Sequence, residues 1–159
     1  MRIGHSEDIH PLEKGRKLYI GGIEIKSEKG SVGHSDGDAL LHTIAEAIFG
    51  ALALGDLGKY FSDQDEKYKN MSSKIILEKA KSLMEEKGYY IVNVDSMVYL
   101  ETPKLAKYID SIRKNIAGIL STDVNNISVK ATTYEGFGAI GENKAWKAST
   151  VLLIDKDER

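Results

Sequence analysis

From Asp38 onward, apolar residues recur at three- and four-residue intervals: Leu40, Leu41, Ile44, Ala47, Ile48, Ala51 and Leu52. A helix with that spacing carries one continuous apolar stripe, which has to be buried against another layer. Segments of a different period supply the layer. Tyr89 to Tyr99 is rich in β-branched and aromatic residues and reads as a strand. Ile127 to Ala131 alternates as a second strand after a turn at Asn125-Asn126, and Ser149 to Ile154 reads as the last. Leu18–Ile20 and Ile23–Ile25 flank Gly21-Gly22, a hairpin signal. Two further helices are expected. One runs from about Ser72 to Lys87, with Ile76, Ala80, Leu83 and Met84 inward and Gly88 as its stop. The other has Thr102 as cap, Pro103 at its first position, and Leu105, Ile109, Ile112, Ile116 and Ile119 as its stripe. Ser35, with Asp38 three residues on, fits a capping box for the first helix. Interleaved helices, strands and a hairpin imply an α/β, α+β-like fold: a small mixed β-sheet backed by helices. With 159 residues, two prolines and no linker, the chain reads as a single domain over 1–159.

Charge and cysteine content narrow the chemistry. Lys plus Arg number 22 and Asp plus Glu 24, a net charge of −2. No basic excess draws such a surface to nucleic acid or an anionic membrane. No apolar run approaches the roughly 20 residues of a membrane helix, and Met1 to Ser6 shows no signal-peptide core, so a cytoplasmic location is expected. The absence of Cys excludes disulfides, thiolate metal sites and cysteine nucleophiles. A zinc site would need His, Asp or Glu, and all four histidines, His5, His10, His34 and His42, fall within the first 42 residues.

Asp8 and His10 are two apart, so on a strand their side chains share a face. His42 lies about 200° round its helix from the core residue Ile44, beside Asp38 and Glu46. If the strand end abuts this helix, three N/O ligands converge and leave a fourth zinc position open. Glu46 or Asp38 is then placed to orient the imidazole. His34 precedes a helix start whose free N–H groups suit phosphate. Gly55 to Asp65 forms a glycine-rich acidic loop, and Lys130 to Glu135 ends a strand in two hydroxyls and a carboxylate. Gly136 to Gly141 matches the dinucleotide fingerprint G-x-G-x-x-G, but too little chain follows for a βαβ unit. The match is accidental, and the segment reads as a flexible loop.

Taken in order, these stretches resemble one family: Arg2-Ile3-Gly4-His5 with Asp8-Ile9-His10, His34-Ser35-Asp36-Gly37-Asp38 with His42, Gly55-Asp56-Leu57-Gly58 with Phe61 and Asp63, Pro103-Lys104, and Val129 to Thr133 with Glu135. The family is 2-C-methyl-D-erythritol 2,4-cyclodiphosphate synthase, of non-mevalonate isoprenoid biosynthesis. The resemblance implies a homotrimer, its sheets around a three-fold axis and its active sites between adjacent subunits. It implies a small-molecule nucleotide substrate, 4-diphosphocytidyl-2-C-methyl-D-erythritol 2-phosphate, whose 2-phosphate attacks the β-phosphorus and expels CMP. By the same resemblance Asp8, His10 and His42 are zinc ligands and Glu135 is the ligand of a second ion, Mg²⁺ or Mn²⁺. His34 and Thr133 are the groups that stabilise the transition state. Ser35 and Thr132 contact phosphate; Asp56, Leu57, Gly58, Phe61 and Asp63 hold the erythritol part. Leu100, Pro103, Lys104, Leu105 and Ala106, with Ala131, form the cytidine side of the adjoining subunit. Ser6, Glu46 and Ser62 depart from the family's usual glycine, aspartate and proline. Glu7, Ala139 and Glu142 stand where many members have an aromatic, an aromatic and an arginine, so neither an axial diphosphate site nor a phosphate role at residue 142 is expected. His5 receives no role.

Overall fold

The structure is a computed structural model that describes residues 1–62 and 64–156. In chain order its main elements are β1 (Arg2–Lys14), β2 (Leu18–Ile20), β3 (Ile23–Ile25), β4 (Lys29–Ser31), α1 (Ala39–Ala51), α2 (Ser73–Glu86), β5 (Tyr89–Tyr99), α3 (Ile109–Leu120), β6 (Ile127–Thr132), α4 (Gly138–Gly141) and β7 (Ala145–Lys156). Five strands form one mixed sheet in the order β4-β1-β7-β5-β6, and β2 and β3 pair as a separate hairpin. Only the β5–β6 pairing is parallel, from Val94 opposite Ile127 to Tyr99 opposite Thr132. The remaining sheet pairings are antiparallel, with β7 central between β1 and β5. No helix among the described residues is long and apolar enough to cross a membrane.

The helical stripe read from the sequence understates how deeply α1 is buried. His42, Glu46 and Gly50, each four residues from the next, are the α1 positions that are not buried. The rest pack against the sheet, α2 and the hairpin, so one thin polar line along the helix faces outward. Gly4 lets this helix come so close. A Cβ at position 4 would lie 1.9 Å from the Ala47 carbonyl oxygen, so any side chain there would push α1 off β1.

Four expectations are corrected. Asp38, not Ser35, caps α1: its carboxylate accepts the Leu41 N–H at 3.1 Å, and the Ser35 hydroxyl instead lies against His42. Thr102 and Pro103 lie outside α3, which begins at Ile109 after a 3₁₀ turn at Ala106–Tyr108. The residue before a proline is pushed towards extended backbone, and Leu105 reaches the core from the turn rather than from a helix. Residues 138–141 form a single helical turn between β6 and β7 rather than a loop, and no βαβ unit follows. The last strand is also longer than its Ser149–Ile154 core, because Ala145 to Ala148 continues the pairing with β1.

Beneath α1 a buried hydroxyl chain ties three elements together. Ser96 of β5 and Thr150 of β7 are 2.8 Å apart, as are Thr150 and Thr43 of α1, and Thr43 donates to the Leu40 carbonyl at 2.9 Å. Thr150→Val keeps the shape but leaves the Ser96 and Thr43 hydroxyls short of a partner. A stability loss of about 1–3 kcal/mol is expected, read from urea unfolding. A neutral result would mean that water replaces the lost bonds.

Candidate functional site

Asp8 and His10 leave β1 on its helix-covered face, and α1 brings His42 over them. The three offer one ligand atom each, all within 4.8 Å of one another. Asp8 Oδ2 is 3.0 Å from His10 Nε2 and 3.2 Å from His42 Nδ1. Both ligand residues sit well inside β1 rather than at its end, with His10 opposite Trp146 of β7.

The tautomers make this a cation site. His10 Nδ1–H donates to the Val32 carbonyl at 3.0 Å, which leaves Nε2 as the lone-pair nitrogen in neutral imidazole. That Nε2 is buried and has no well-directed hydrogen-bond partner, although Asp8 is close. Lone pairs of a carboxylate and two imidazoles facing one another require a positive charge between them, either a proton or a metal. Burial opposes charge on Asp8, but the adjoining imidazoles of His10 and His42 outweigh it and hold the carboxyl well below its usual range. Burial likewise works against protonation of His10, yet Asp8 raises it overall. The donor set, two imidazoles and a carboxylate, fits a divalent metal with an open position.

Neither carboxylate expected to orient His42 does so. Asp38 is buried and accepts N–H bonds from Gly21, Gly22 and Leu41. Glu46 accepts the Ser6 hydroxyl at 2.9 Å and faces the Leu57 N–H at 3.5 Å. The groups on His42 Nε2 are Ser73 Oγ at 2.8 Å and Ser35 Oγ at 3.2 Å. Ser73 was not legible as a site residue: it is the first residue of α2, 31 positions away, and nothing local marks it.

Around this centre lie other residues singled out from the sequence. His34 has a buried Nε2 without a partner, and its carbonyl takes the Asn70 N–H. Asp56 caps a 3₁₀ turn at Leu57–Lys59 that includes Gly58, and Phe61 meets the Tyr68 ring edge-on at 5.3 Å. Asp63 lies outside the described residues.

A second group forms elsewhere. Leu100, Pro103, Lys104, Leu105 and Ala106, with Ala131, Thr132 and Thr133, line a cavity of about 290 Å³ at the C-terminal ends of the parallel strands β5 and β6. Strand ends of this kind are where ligands bind in parallel sheets. Glu135 follows it, exposed and in left-handed backbone (φ 53°), with its N–H on Thr133 Oγ1.

The two groups do not meet within one chain. Asp8 aligns across the sheet with Ala148, Val98 and Ala131. Three strand spacings of about 4.8 Å put Asp8 and Ala131 about 14 Å apart. Thr132 aligns with Tyr99, Lys147 and Ile9, whose side chains point to the opposite face.

Comparison with known proteins gives this arrangement a lineage. Residues 1–155 match the YgbB family. The 2-C-methyl-D-erythritol 2,4-cyclodiphosphate synthase of Chloroherpeton thalassium is 53% identical over 98% of this chain and 99% of its own. That of Clostridioides difficile is 49% identical over 97% and 96%. The structure of IspF from Plasmodium falciparum in complex with CDP superimposes with a TM-score of 0.87 and 36% identity, covering 99% of this chain and 97% of that one. With its sequence and its fold both matched along nearly the whole length, this chain belongs to the 2-C-methyl-D-erythritol 2,4-cyclodiphosphate synthase family.

Proposed function

We propose that this enzyme converts 4-diphosphocytidyl-2-C-methyl-D-erythritol 2-phosphate to 2-C-methyl-D-erythritol 2,4-cyclodiphosphate and CMP. It is a phosphorus–oxygen lyase of the MEP pathway of isoprene biosynthesis, acting in the cytoplasm as one domain over 1–159. The observation that carries the reading is the convergence of one ligand atom each from Asp8, His10 and His42 within 4.8 Å, with His10 Nε2 buried and lacking a hydrogen-bond partner, in a chain whose relatives bear that name.

Intramolecular phosphoryl transfer asks for positioning and charge neutralisation more than for covalent help. Asp8, His10 and His42 would hold zinc, and Glu135 would hold Mg²⁺ or Mn²⁺ jointly with substrate phosphates, a role that suits a lone exposed carboxylate. The metals supply Lewis-acid withdrawal of charge from the phosphate oxygens. Ser35, Thr132, His34 and Thr133 offer hydroxyl and imidazole donors where charge accumulates during transfer. The Asp56–Gly58 turn and Phe61 would seat the erythritol part, with Asp63. The cavity from Leu100 to Ala106 would take the cytidine.

The separation of the two groups supports a homotrimer with the site between subunits. One substrate cannot reach across three strands and through the sheet, so the metal group of one chain would work with the cytidine group of its neighbour. No charge excess points to nucleic acid or a membrane as a further partner.

Incubating the purified protein with the cytidyl substrate, Zn²⁺ and Mg²⁺ and following ³¹P NMR tests the reading. Equal appearance of cyclic diphosphate and CMP is expected. Linear phosphates without the cyclic product would replace it with a phosphohydrolase.

A further inference from the structure

We infer that Ser73 and Asp36 form a relay that fixes the tautomer of His42, making Ser73 a positioning residue for the metal centre. The inference rests on reading Asp8, His10 and His42 as a zinc site. Ser73 is fully buried, and its hydroxyl lies between two groups. On one side is the Asp36 carboxylate, which takes the Ser73 Oγ–H at short range and the Ser73 backbone N–H at 2.9 Å. On the other is His42 Nε2, 2.8 Å away.

A carboxylate accepts only, so the serine proton goes to Asp36. The oxygen then turns a lone pair to His42, and Nε2 must carry the hydrogen. Nδ1 is thereby left as the lone-pair nitrogen, on the side where Asp8 Oδ2 lies 3.2 Å away. His10 is held by the same logic with the nitrogens exchanged, since the Val32 carbonyl takes its Nδ1–H and frees Nε2. Each imidazole is thus set from behind, and the two free lone pairs meet at Asp8.

The relay is itself anchored by backbone. Asp36 N–H donates to the Met71 carbonyl at 3.2 Å, and Asn70 N–H donates to the His34 carbonyl at 2.8 Å, tying the segment before α1 to the start of α2. Ser35 also lies near Nε2, at 3.2 Å, and takes the Gly37 N–H at 3.4 Å. With Ser73 as the nearer acceptor, the Ser35 hydroxyl proton stays available to a phosphate.

Two measurements test this. In ¹⁵N-labelled wild-type protein with zinc, long-range ¹H–¹⁵N spectra are expected to show His42 protonated at Nε2 and coordinated at Nδ1; the reverse pattern overturns the relay without any variant. Chelator competition is expected to give a zinc Kd raised about 10–100-fold in Ser73→Ala and in Asp36→Asn, but moved less than about threefold in Ser35→Ala. Folded Ser73→Ala that binds zinc like wild type overturns the relay and leaves the zinc site intact. Wild-type protein that takes up no zinc overturns the metal reading and the relay together.

Discussion

Replacing His42 with alanine is expected to abolish stable zinc binding and to lower kcat/KM by a factor of about a thousand or more. Two ligands remain, Asp8 and His10, which is too few for a protein-bound zinc. Loss of Lewis-acid assistance removes several kcal/mol of transition-state stabilisation, and each factor of ten in rate corresponds to about 1.4 kcal/mol. His42 lies on the polar line of α1 rather than in its packed faces, so the fold is expected to survive the change. Zinc content and turnover should therefore collapse while the melting temperature moves by only a few degrees. A sharp drop in melting temperature, with no nucleotide bound by the wild type, would instead describe a structural zinc module.

The second large effect concerns Asp38 and stability. Its buried carboxylate receives the N–H groups of Gly21 (3.0 Å), Gly22 (2.6 Å) and Leu41 (3.1 Å), joining the β2–β3 turn to the start of α1. Asp38→Ala leaves all three donors without an acceptor at once. Hydrogen bonds to a charged group contribute about 1.5–3 kcal/mol each but do not add fully, so a loss of about 3–5 kcal/mol is expected, or roughly 10 °C in melting temperature. The effect depends on pH in a definite direction. Burial pushes the Asp38 carboxyl up to about 6 from 3.8, with the Asp36 charge adding to it, while the three N–H groups pull it down. A carboxyl raised in the folded state contributes stability that is fully present below 3.8 and is lost as pH rises through about 6. The stability gap between wild type and Asp38→Ala should accordingly narrow between about pH 4 and pH 7 in denaturant titrations. A gap that widens with pH would mean that the N–H donors, not burial, control this carboxyl.

What could be read from the sequence, and what could not, divides along contact distance. The stripe from Leu40 to Leu52 and the alternation of Ile127 to Ala131 are local, and each became the element its period implies. Asp8 and His10 share a face because a strand alternates, and His42 clears the core because a helix turns by 100° per residue. Those rules suffice for the triad once α1 lies on β1, and Gly4 permits that contact. The partners of His42 follow no such rule. Ser73 and Asp36 are brought together by the docking of the start of α2 on the segment before α1, whereas the charged neighbours that looked suitable, Asp38 and Glu46, are taken by backbone N–H groups and by Ser6. Thr102 and Pro103 imitate a helix start, but the chain spends Leu100 to Leu105 lining a cavity and enters α3 only at Ile109. That the cavity residues from Leu100 to Thr133 lie across the sheet from the triad depends on strand order and register, which local patterns do not specify.

In the proposed reaction a metal group from one chain and a cytidine group from its neighbour act on one substrate. Mixing His42→Ala chains with Thr133→Ala chains tests this sharing, each variant being close to inactive alone. Every mixed trimer would contain one site with both halves intact, so equal mixing with full subunit exchange should restore about a quarter of the wild-type rate of cyclic diphosphate formation. No recovery, with mixed trimers demonstrated by mass, would rule out a site shared between subunits and place both halves of each site within a single chain.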